Sequence, residues 1–184
     1  MHRHLTDVFA RLDAARAELK AVIDAMPADL REKRPALGRW SASEIVHHLS
    51  LVDRRWMAQL AERIAEARAA GLGPERGARV PLPPEAEAIL ADRTKQRQAP
   101  EPVHPQPGID LAAAWAAADR AREEFRATMT AADGLSLGEV TNTHAFFGVL
   151  TVYQWVELAA WHETRHAQQI REGTAQLQEG SASA

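Results

Sequence analysis

Cysteine is absent from the 184-residue chain. Its absence excludes disulfides, thiolate metal sites and any protein-borne thiol nucleophile, so a metal here has to be held by histidine, aspartate or glutamate. No uninterrupted apolar run approaches the roughly 18 residues of a membrane span. The opening residues, MHRHLTDVFARLD, pass straight into an amphipathic pattern without the apolar core of a signal peptide. Charge of one sign is also scarce: the formal balance is −3, which supplies no general basic field for nucleic acid or an anionic membrane. These absences lead us to expect a soluble, cytoplasmic protein that binds neither nucleic acid nor membrane. With 46% hydrophobic residues, the chain is long enough for one domain with a sizeable core.

What is present is helical periodicity. Leu5, Val8, Phe9, Leu12, Leu19, Ile23 and Met26 form a stripe that stops before Pro27. The segment PADLREKRPALGRW then reads as a loop with a short helical turn. A second helix opens at Ser41, where Ser41 and Glu44 match an S-x-x-E capping box, and runs to Gly71 with Ile45, Leu49, Val52, Trp56 and Leu60 inward. Residues 71–108 hold eight of the ten prolines and read as a crossover, with a short helix expected over Glu85–Gln98. A third long helix begins after Asp110 and carries Leu111, Ala114, Trp115, Ala118, Phe125 and Met129 on its apolar side. The segment DGLSLGEVTNTHAFFGVL shows no convincing strand pattern and leads into the last helix, Thr151 to about Arg171. Thr151 and Gln154 form a T-x-x-Q capping box there, with Leu150 and Trp155 at the positions of a hydrophobic staple.

The expected architecture is all-α, a four-helix bundle spanning residues 1–173, with 174–184 as a flexible polar tail. A long link between the second and third long helices lets those two run parallel, which allows an up-down-down-up order.

Val152, Trp155, Ala159, His162, His166 and Ile170 share one face of the last helix, so two imidazoles one turn apart look into the core. Two histidines at i and i+4 suit a common metal ion. On the second helix, at about 100° per residue, His48 lies roughly 80° from the centre of the apolar stripe and His47 points nearly opposite. His48 is the better site candidate and His47 the better solvent residue. Three imidazoles would leave an open position for water or substrate on zinc, nickel or iron. Glu44 and Glu163 are the carboxylates placed to orient these rings. His144 reads as a loop or capping residue, the five tryptophans as packing residues with one or two lining a pocket, and Arg54 and Arg55 as a solvated face.

The stretch WSASEIVHHLSLVD (Trp40–Asp53) resembles the second-helix motif of the DinB-like (DinB/YfiT) superfamily. HAFFGVLT (His144–Thr151) followed by HETRHAQQI (His162–Ile170) is similar to that family's glycine turn and its H-x-x-x-H-x-x-Q-I signature. The resemblance implies a metal-binding bundle, often a homodimer, in which His48, His162 and His166 hold a divalent ion. Zinc and nickel are the first expectations, with iron and manganese as alternatives. The family includes S-transferases that use bacillithiol, a mycothiol-dependent isomerase and members with no assigned activity. The expectation for this chain is a thiol S-transferase acting on a small thiol and an electrophilic substrate. Metal-dependent hydrolysis and a non-catalytic stress-response binding protein are the alternatives, and no side chain is assigned as general base.

Overall fold

The computed structural model describes residues 1–94 and 98–182. Four long helices build the bundle: α1 (Arg3–Ala25), α2 (Ala42–Ala69), α4 (Leu111–Ala131) and α5 (Val152–Ala182). A short α3 (Pro84–Ala91) lies in the crossover, and 3-10 turns occupy Ala28–Leu30 and Glu101–Val103. The third long helix of the sequence reading is thus α4, and the last is α5.

The helix boundaries follow local chemistry. Met26 turns extended ahead of Pro27, as a residue before proline is pushed to do, and α1 ends there. At α2 the Ser41 hydroxyl accepts from the Glu44 amide at 3.2 Å, and the Glu44 carboxylate accepts from the Ser41 amide at 2.9 Å. Asp110 caps α4 by accepting from the Ala113 amide at 2.8 Å. Thr151 and Gln154 close the box at α5 with bonds of 3.3 and 2.9 Å.

Three expectations are corrected. The segment before α5 is a β-hairpin: β1 (Thr141–His144) pairs antiparallel with β2 (Gly148–Thr151). Only Leu150 of these eight residues is fully buried, so no alternation marks the strands in sequence. Gly148, at φ +71°, closes the turn. Second, α5 runs on to Ala182 where a polar tail was expected. Gly173 stops nothing; it lies inside the helix where Pro35 packs, and a Cβ there would meet Pro35 Cγ at 3.2 Å. Leu177, one heptad after Ile170, packs against the same core cluster. Third, the crossover helix ends at Ala91 rather than Gln98. Asp92 Oδ1 accepts from the Thr94 amide at 2.9 Å and from its hydroxyl, a local turn that competes with continued helix. Residues 95–97 of the expected helix lie outside the described residues.

The core falls into two apolar clusters. One joins Leu5–Ala15, Met57–Ile64, Phe125–Met129 and Val152–Ala160. The other joins Leu19–Met26, Ala42–Leu49, Ala114–Ala118 and Ala167–Ile170. Between them each long helix contributes one buried charged residue, Arg16, Asp53, Arg122 and Glu163. The ion pairs Arg11–Glu157, Arg16–Glu163 and Glu18–Arg171 ascend together along α1 and α5. The crossover is strapped to α5 by Glu157, fully buried, which accepts from Arg79 and, at 2.6 Å, from the Leu82 amide.

Candidate metal centre

The helical spacing of His162 and His166 and the offset of His48 from the α2 stripe bring all three rings together beside this polar layer. One ring nitrogen from each lies within 4.8 Å of the others. Ring centroids are 5.4 Å apart for His48–His162, 5.1 Å for His48–His166 and 4.5 Å for His162–His166. His48 and His166 are buried and His162 partly so.

The hydrogen bonds fix which nitrogens are free. His48 Nδ1 lies 2.7 Å from the Val103 carbonyl oxygen, which can only accept, so Nδ1 carries the proton and Nε2 keeps its lone pair. His166 Nδ1 meets the Gln169 side-chain amide at 3.0 Å, which leaves Nε2 turned toward the other rings. His166 Nε2 then faces His162 Nε2 at 3.0 Å, while His162 Nδ1 is buried with no hydrogen-bond partner. A cation fits this arrangement, because it would take the lone pairs of both facing Nε2 atoms that otherwise must share one proton.

Electrostatics agree. Burial pushes His48 from the ordinary imidazole value of 6.5 down to about 4, with the Val103 bond opposing. Burial, then the neighbouring His48 and Arg165, holds His162 well below 6.5, and burial with His162 and His48 does the same for His166. Three imidazoles that resist protonation are three neutral nitrogen ligands at neutral pH.

The carboxylates expected to orient the rings do something else. Glu44 is spent on the α2 cap and on Arg34, which donates to it at 2.9 Å through Nε. Glu163 accepts from Arg16 and Arg122, each at 2.6 Å. Their places are taken by a crossover carbonyl, invisible to side-chain reasoning, and by Gln169, which stands in the H-x-x-x-H-x-x-Q motif three residues after His166. The polar layer did leave a trace in sequence: Arg16, Asp53 and Arg122 interrupt apolar stripes at core spacing. His47 is half-buried, and its Nδ1 accepts from the Gln106 amide at 3.0 Å, so the His47–His48 doublet grips the crossover twice. His144 caps its own hairpin turn by accepting from the Phe146 amide at 3.1 Å. His104 is exposed and bonds Ala99 O, and His4 is tied to Gly77 O.

An all-α bundle with a convergent histidine triad, two of its rings buried and one partly so, places the chain in a class of candidate metal proteins. The DinB superfamily profile matches residues 11–170, and the chain belongs to that superfamily. It is 27% identical over 158 residues to the Bacillus subtilis (strain 168) protein named "Uncharacterized protein YuaE", covering 84% of this chain and 87% of that one. The solved structure "Crystal structure of TT2238, a four-helix bundle protein" superposes with a TM-score of 0.56 at 19% identity, over 91% of this chain and 98% of that one, a likeness of fold. Among the described residues, no helix is long and apolar enough to cross a membrane.

Proposed function

We propose that the protein is a metal-dependent thiol S-transferase, in which His48, His162 and His166 hold one divalent ion, zinc or nickel in the first instance. The observation that carries this reading is the convergence of the three imidazoles within 4.8 Å, with the His48 proton held on Nδ1 by the Val103 carbonyl and His166 Nε2 3.0 Å from His162 Nε2. A divalent ion bound there would supply Lewis acidity, enough for a coordinated thiol to be deprotonated outright. The Val103 carbonyl holds His48 with its proton on Nδ1, Gln169 contacts His166 Nδ1, and the half-buried Trp40 and Trp56 pack against His48 and His162. Hydrolysis is the second reading: Glu44 is bound to Arg34, and Glu163 meets Arg16 and Arg122 through Oε1, while its buried Oε2 has no hydrogen-bond partner among the described residues. Since the chain lacks cysteine, the thiol has to be a small molecule, and the second substrate an electrophile. We further propose that the protein acts as a homodimer in the cytoplasm.

The test is metal content of untagged protein and of His48→Ala, His162→Ala and His166→Ala, followed by product analysis with a small thiol and an electrophile. About one ion per chain, lost in each variant, together with a trapped thiol adduct, is the expected outcome. A hydrolysed product without adduct would replace S-transfer by hydrolysis. Bound metal without turnover would leave a binding protein, and protein that stays metal-free after incubation with zinc, nickel, iron and manganese would end the metal reading.

A further inference from the structure

The crossover meets α2 along one flank. Glu44, His47 and His48 lie three and four residues apart on that helix and so share a side. A chain running the opposite way ties to them in turn. Glu44 Oε1 accepts from the Gly108 amide at 3.4 Å, and His47 Nδ1 accepts from the Gln106 amide at 3.0 Å. His48 Nδ1 then donates to the Val103 carbonyl at 2.7 Å. Between Val103 and Gln106 this chain has little freedom. Pro100, Pro102, Pro105 and Pro107 fix their own φ angles and carry no amide hydrogen. The Val103 and His104 amides close the 3-10 turn on the carbonyls of Pro100 and Glu101, at 3.1 and 3.0 Å. The Gln106 amide goes to His47 instead. A hold on Gln106 is therefore carried through Pro105 to the turn that presents the Val103 carbonyl. A half-buried imidazole outside the triad is ordinarily a solvated residue, but solvation does not explain a ring that accepts from a backbone amide 59 residues away.

We infer that His47 is the positioning residue of His48: by holding Gln106 it keeps the Val103 carbonyl on His48 Nδ1, and so leaves the His48 lone pair on Nε2. Which nitrogen of a neutral imidazole carries the proton is decided by the hydrogen bond available to it. A displaced carbonyl would free the proton to move to Nε2, where it blocks ligation. Val103 is itself buried, which gives the turn a second anchor, so loss of His47 should loosen the carbonyl rather than release it. The inference rests on the metal reading for the purpose of the tautomer, but the tautomer itself is read without metal.

The experiment compares wild type, His47→Ala and His47→Asn as full chains. Asparagine carries Oδ1 as many bonds from Cα as histidine carries Nδ1, so it can accept from Gln106 in the same place. The His48 tautomer is read first, by 15N NMR of the histidine rings in metal-free protein near pH 8. Zinc affinity then follows by competition with a chelator. In His47→Ala the share of His48 protonated on Nδ1 should fall from about nine-tenths to about one-half. Zinc should bind about three- to tenfold more weakly, less than the loss of a direct partner of a ligand would cause. His47→Asn should restore both to within about twofold of wild type. An unchanged tautomer in His47→Ala overturns the inference, whatever zinc does. A tautomer shift that leaves zinc affinity unmoved overturns it too, as does an asparagine that behaves like alanine. The expected tautomer shifts in a chain that takes up no zinc would keep the hold of His47 on His48 and end the metal reading.

Discussion

Neutralising Asp53 should stabilise the protein at neutral pH, whereas neutralising Glu163, its partner in the same buried layer, should cost several kcal/mol. Two guanidiniums, Arg16 and Arg122, meet three carboxylates: Glu163, Asp53 and Asp119. Glu163 takes the short contacts, 2.6 Å from each arginine, and half-exposed Asp119 sits 3.2 Å from Arg16. Asp53 is left with 3.4 and 3.9 Å. Burial therefore pushes its carboxyl up from 3.8 to about 6, Arg122 opposing and Glu163 adding. An acid raised in the folded state contributes stability that is full below its ordinary value and is lost as pH rises through the folded one. Between about pH 4 and 6 that loss is on the order of 3 kcal/mol. Asp53→Asn removes it, so the variant should match wild type near pH 4 and exceed it by up to about 3 kcal/mol at pH 7.5. Glu163→Gln leaves Arg122 on the long Asp53 contact and Arg16 on Asp53 and half-exposed Asp119, and should cost about 3–5 kcal/mol. Urea titrations of the three metal-free proteins between pH 4 and 8 measure both differences. A loss above about 1 kcal/mol for Asp53→Asn at pH 7.5, or a difference that is flat with pH, would refute the reasoning.

Histidine titration should run the opposite way. The triad's folded values are depressed, so its contribution is present above about 6.5 and is lost as pH falls through the folded values. In metal-free protein the His48 ring resonances should titrate near 4, and an NMR midpoint between 6 and 7 would contradict its burial. Leu177→Ala should lower stability by about 1 kcal/mol while Gln176→Ala, on the exposed side, changes little. Equal thermal melts for the two would show that the last turns of α5 add nothing to the core.

The legible parts of the molecule were those encoded by short-range chemistry. The Ser41–Glu44 and Thr151–Gln154 boxes, the Asp110 cap and the apolar stripes located the long helices, because each signal depends on residues within one or two turns. The same periodicity, with the family resemblance, brought His48, His162 and His166 to one site. The hairpin stayed hidden because its strands bury almost nothing, and the end of α5 because a glycine that normally closes a helix serves here for close approach to Pro35.

Sequence by itself determined the helices, their inward faces and the three imidazoles that share an interior, since all follow from 3.6-residue geometry. Tertiary structure alone decided what those imidazoles can do. The Val103 carbonyl that sets the His48 tautomer comes from a crossover 55 residues away, and the guanidiniums that claim Glu163 come from two other helices. Hydrogen bonds between distant segments leave no period in a sequence; only packing brings their partners within 3 Å.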